Sequence, residues 1–153
     1  MSNQLFMMLH ATFGVLAMLC GLWLFVETLN AAASNRRRIV AASLLLALFM
    51  WVTYVVGGSW YVDYYGAEKA LIKAGPFPSA HGFFMETKEH VFLLLLLLAT
   101  WLPIAVWRSP PATGGPARSL ILWSSGLMVL GTLAMEGAGA LVSLGVKMSL
   151  LPH

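Results

Sequence analysis

The chain has 153 residues, 59% of them hydrophobic and only 10% charged, with a mean hydropathy of +0.81. A soluble domain carries about 25% charged residues, so the composition excludes an ordinary soluble enzyme and indicates a membrane protein. The net charge of +3 comes from Lys and Arg in the connections between apolar runs, which is a topology signal, and no nucleic-acid partner is expected.

A hydrocarbon core about 30 Å thick needs about 20 apolar residues to be crossed as a helix. Four runs qualify: residues 5–29, 39–56, 90–107 and 119–146. Lipid offers the backbone no hydrogen-bond partners, so each must be a helix. The expected fold is all-α: one integral membrane four-helix bundle over residues 1–153, running up-down-up-down. The first run is followed by "LNAAAS", which resembles a cleavage site. However, "MSNQLF" has no positive charge and the apolar run is longer than a signal peptide's, so the segment reads as a retained helix. Cys20, the one cysteine, sits mid-span as a small apolar residue, and no CxxCH is present to attach a c-type haem.

"SNRRR" joins the first two spans and "WRSPPATGGPAR" joins the last two; both are basic and free of acid. Lys and Arg favour the cytoplasmic side of short loops. Both termini are therefore expected on the non-cytoplasmic side, with the bacterial inner membrane as the expected location. Glu27, near the cytoplasmic end of the first span, is expected to reach toward Arg36–Arg38.

The outer connection, residues 57–89, is the one sizeable part outside lipid. "WYVDYY" fits an aromatic interface belt. The stretch after it reads as a short interfacial helix from near Asp63 to Gly75 and Pro76. Pro78 and Ser79 are expected to open the next helix, which reaches lipid near His90.

Polar groups gather at this outer level. His10 lies roughly 7–8 Å into the first span, and Glu136 about 27 Å along the fourth from Arg118, at about 1.5 Å per residue. His90 opens the lipid-embedded part of the third span, and Thr53 and Tyr54 lie near the outer end of the second. An ionisable group inside a membrane span points to function. His10, Gly14, Ala17 and Gly21 share one face, a smooth track that either lets helices approach closely or leaves room for a flat ring.

Two histidines on different spans could hold one haem iron axially, with Lys88, Tyr54 or Trp60 meeting the haem carboxylates. The remaining polar residues have blander readings. His10 could bond a carbonyl, His90 could mark the water boundary, and Glu136 could pair with His10 or a Tyr hydroxyl. His153 reads as a frayed end, and Met85 and Met135 as packing. A di-iron site lacks a second Glu-x-x-His copy, and zinc lacks ligands. His, Glu and Tyr at a membrane edge also suit a quinone.

"LHATFGVLAMLCG" in the first span and "KEHVFLLLLLLA" opening the third resemble the small bacterial membrane b-type cytochromes and predicted haem-binding membrane proteins. That resemblance implies one haem b near the outer face, with His10 and His90 as axial ligands, His81 in reserve, and Glu86 and Glu136 supporting them. Together with the layout of the chain, the expected function is electron relay between quinol or a partner subunit and an extracytoplasmic carrier such as a cytochrome, inside a larger redox complex of which the chain would be the cytochrome b subunit. The alternatives are a quinone-binding subunit and a cofactor-free structural or assembly subunit.

Overall fold

In the computed structural model, which describes residues 2–111 and 114–151, every regular element is helical. His153 lies outside the described residues. Helix α1 is Asn3–Leu29, α2 Arg36–Asp63, α3 Tyr65–Ala74, α4 Glu86–Arg108 and α5 Gly115–Ser149. A 3₁₀ turn, Ala33–Asn35, leads into α2, and a π-helical stretch, Ala80–Met85, leads into α4. Four continuous helical segments, Asn3–Leu29, Ala33–Asp63, Ala80–Arg108 and Gly115–Ser149, are long and apolar enough to cross a membrane.

Short polar signals set the ends of these helices. The Ser2 hydroxyl accepts from the Leu5 N–H and caps α1. Gly114 and Gly115 have φ of 75° and 73°, a left-handed turn that glycine makes without strain, and Pro116 follows in the first turn of α5.

Helix α1 packs on α2 and α5, and α4 packs on the same two, so the order around the bundle is α1, α2, α4, α5. Neighbouring helices run antiparallel. At one end, Asn35 Nδ2 donates to the Glu27 and Asn30 carbonyls, and Arg118 Nε donates to the Thr28 carbonyl at 3.1 Å. At the other, Asn3 joins Trp60 and Glu68. Arg38 meets Glu27 at 2.7 Å, as the sequence suggested.

Gly14, Ala17, Gly21, Leu24 and Thr28 form the buried face of α1. They meet Ile39, Leu46, Met50 and Thr53 of α2 and Met128 of α5, all nearly or fully buried. In lipid, association rests on van der Waals contact, so a small-residue face that lets backbones approach is what holds α1 in place. A Cβ on Gly21 would sit 3.3 Å from Val129 Cγ2, and one on Gly14 would collide with the Glu136 carboxylate. Gly14, Ala17 and Gly21 are therefore filled packing positions, with no width left there for a ring.

The termini-bearing end is capped by α3 and the π-helical stretch. Ile72 and Ala80 press on Gly145, where an added Cβ would lie 2.5 Å from Ala80 Cβ. The short helix and the early start of the third span match the sequence reading. The second span differs: it continues past residue 56 to Asp63 without a break at Gly57-Gly58. Tertiary packing overrides the weak helix propensity of glycine here, because Gly57 seats the His10 ring.

Candidate functional site

The second span places Thr53, Gly57 and Trp60 on the face turned toward α1, at helical spacing. His10 leans across this face. Its Nδ1 lies 3.0 Å from the Thr53 carbonyl oxygen. A carbonyl can only accept, so Nδ1 carries the proton and Nε2 keeps its lone pair. Lys88 Nζ donates to that Nε2 at 3.4 Å. Gly57 has no side chain in the way: a Cβ there would fall 2.5 Å from Nδ1 and 2.6 Å from Cε1.

Glu136 of α5 completes the group. Its carboxylate lies over Gly14, within electrostatic reach of Lys88. Lys88 also crosses to α5, where its Nζ would stand 3.0 Å from a Cβ on Gly139. Thus α1, α2, α4 and α5 bring together an imidazole, a backbone carbonyl, an ammonium and a carboxylate. Below them is a void of about 10 Å³ bordered by Thr53, Thr132 and the same three ionisable residues, about the room one water needs. The Thr53 hydroxyl is buried without a partner.

Above the group opens a cleft of about 660 Å³, within the size range of small-molecule sites, about 300–1,000 Å³. His10, Lys88 and Glu136 stand in its wall with Tyr54, Trp60, Tyr61, Phe92 and Glu89. Tyr54 and Phe92 stack at 6.1 Å with 14° between their planes.

The structure does not bring His90 to this site. His90 is exposed, and its Nδ1 donates to the Glu86 carbonyl of its own helix at 2.7 Å. Lys88 and Phe92 face the bundle, and a residue two places from Lys88 points about 200° away. Glu86 is likewise outside the cleft, its side chain 58% exposed. His81, the reserve ligand, is buried, and its Nδ1 lies 3.0 Å from the Tyr65 hydroxyl. Burial pushes the Tyr65 phenol well above its ordinary pKa, so Tyr65 stays protonated and donates to Nδ1. This leaves His81 Nε2–H on the side of Glu86, 3.9 Å away. His81 and Tyr65 brace the cap. They do not line the cleft.

For a haem, the fit is therefore partial. His10 has the tautomer of an iron ligand, with its far nitrogen oriented by a carbonyl, but an ammonium faces its free nitrogen and no second imidazole lines the cleft among the described residues. Met85 does line it.

Of the residues singled out in the sequence, the structure groups His10, Gly14, Thr53, Tyr54, Trp60, Lys88 and Glu136. It adds Gly57, Tyr61 and Phe92. A glycine pair in an apolar run was the available sign of Gly57, since two glycines mid-helix are costly and need a reason. The comparisons with known proteins found nothing similar: no family model, no curated protein and no solved structure matches this chain.

Proposed function

We propose that this protein binds a quinone at the termini-bearing end of a membrane-spanning four-helix bundle, as a quinone-binding subunit of a redox complex. One observation carries the reading: His10, Lys88 and Glu136 from three helices meet in the wall of an aromatic cleft. The site offers both hydrogen-bonding signs. The Lys88 ammonium can donate to the carbonyl oxygen of a quinone. His10 Nε2 and the Glu136 carboxylate can accept from the hydroxyls of a quinol. A site that changes between donor and acceptor suits a ligand that does the same on reduction. The stacked Tyr54 and Phe92 supply flat apolar contact for the ring.

The test uses the full chain in lipid nanodiscs, titrated with decylubiquinone and read by tryptophan fluorescence. Saturable binding is expected, and Lys88→Met should weaken it about tenfold to a hundredfold, the loss of one charge-assisted hydrogen bond. Absence of saturable binding by the wild type would refute the reading.

A haem reading retains one favouring observation, the oriented His10 with a free Nε2. Haem-replete expression separates the two: a Soret band lost in His10→Ala supports haem, whereas a colourless protein that binds decylubiquinone supports the quinone site.

A further inference from the structure

The cleft reaches the surface of the bundle at two seams. Between α1 and α5, Met8 is 68% exposed, and Ala11, Ala140 and Ser143 are also exposed, though all four line the cleft. Between α2 and α4, Tyr54 is 40% and Leu93 49% exposed while lining it too. A slot thus crosses the bundle, with His10, Lys88 and Glu136 midway.

The two seams differ in chemistry. The α2–α4 side carries Tyr54, Tyr61, Phe92 and Glu89, aromatic and polar. The α1–α5 side is built of methionine and very small residues. Its α5 wall is thin: Gly139, Ala140 and Ser143 line it, and a Cβ on Gly139 would meet only Lys88 Nζ within 4 Å. Lower down the same two helices close, with the Glu136 carboxylate seated on Gly14 and Val129 on Gly21. The seam is therefore a fork that opens toward the termini-bearing end above Glu136. Thr53, a residue only 2% exposed whose hydroxyl has no partner, lines this slot. A single six-membered ring would leave most of about 660 Å³ unfilled.

Resting on the quinone reading above, we infer that the ligand is a lipid-tailed quinone that enters sideways from the bilayer, its ring held toward α2 and α4 and its aliphatic tail leaving through the α1–α5 fork. Methionine suits such a wall because its flexible thioether adapts to an irregular chain. Glycine and alanine on the facing helix leave the tail a path that any larger side chain would close.

The experiment compares two probes on the full chain in nanodiscs: decylubiquinone, with a ten-carbon tail, and ubiquinone-0, with none. Ala140→Trp fills the fork from an exposed position, and Ala11→Trp fills it from the other wall. Leu93→Trp crowds the opposite seam. Each fork variant should lose about tenfold in affinity for decylubiquinone while keeping ubiquinone-0 within about twofold of wild type. Leu93→Trp should leave the tailed probe's advantage over the tail-less one intact. Equal losses of both probes in the fork variants, or loss of the tail advantage in Leu93→Trp instead, would overturn the placement. A wild type that binds ubiquinone-0 and decylubiquinone equally well sinks the tail inference alone. A wild type that binds neither sinks the quinone reading itself.

Discussion

Gly57 and Gly58 are adjacent, both helical, and should respond oppositely to the same substitution. Alanine at 57 places a methyl 2.5 Å from His10 Nδ1. A comfortable carbon–nitrogen contact is about 3.4 Å, so the ring must retreat by about 0.9 Å, and the 3.0 Å bond to the Thr53 carbonyl stretches beyond hydrogen-bonding range. A half-buried N–H left unpaired costs about 1–3 kcal/mol. Alanine at 58 meets nothing within 4 Å. Both variants gain the same helix-propensity term, about 1 kcal/mol, which cancels in the comparison. Gly57→Ala should thus be about 1–3 kcal/mol less stable than Gly58→Ala. Reversible unfolding in mixed micelles measures the difference, and the histidine ¹⁵N spectrum reports the second expected change, loss of the Nδ1–H signature of His10. Equal stability of the two variants, with the His10 signal unmoved, would show that Gly57 does not seat the imidazole.

Asn35 is 3% exposed and ties the α1–α2 connection through the Glu27 and Asn30 carbonyls and the Ala32 N–H. Asn35→Ala should cost about 2–3 kcal/mol in the same unfolding assay, at about 1 kcal/mol per bond. Tyr65→Phe strands His81 Nδ1 and should cost about 1–3 kcal/mol while decylubiquinone affinity holds, because neither residue lines the cleft. Since burial raises the Tyr65 pKa, its contribution is complete below about pH 10, the ordinary phenol value, and is lost as pH rises above that. Wild-type stability should fall there more steeply than that of Tyr65→Phe. Lys88→Met and Glu136→Gln should each destabilise by removing a charge that offsets the other's, and the double variant should recover part of the loss, since it leaves neither charge unbalanced. Decylubiquinone binding should not recover with it.

How much of this was legible beforehand depended on contrast within each helix. Helix α1 alternates bulky residues with Gly14, Ala17 and Gly21, so its buried face and the place of His10 upon it could be read directly. From Val91 helix α4 reads "VFLLLLLL", apolar on all sides, and core-facing and lipid-facing positions look alike. Nothing in that run fixes the helix phase, which is why His90 could be paired with His10 when Lys88 holds the inward position. Ala99, buried with Leu95, Leu102 and Val106, lies on the Lys88–Phe92 face and is the one small residue that could have marked it. At the end of the second span the reading fails in the other direction: with the span ended at residue 56, Trp60 and Tyr61 fall in the outer connection, whereas α2 carries both to the cleft.

The same contrast explains why the ionisable residues identify a site without identifying its occupant. An ammonium or a carboxylate alone in an apolar bundle is costly. Lys88 and Glu136 offset one another, and His10, its Nδ1–H turned to the Thr53 carbonyl, accepts from Lys88 at Nε2 without adding charge. The trio is neutral in sum and can persist in a low-dielectric setting. It also keeps donor and acceptor capacity in the wall of the cleft. A purely structural pairing would be expected to close over itself, as Glu27 does with Arg38, Asn35 and Trp23 at the opposite end. At the termini-bearing end the charged groups instead border open space, and that difference between two polar clusters on the same four helices is what favours the proposed binding role over a bracing one.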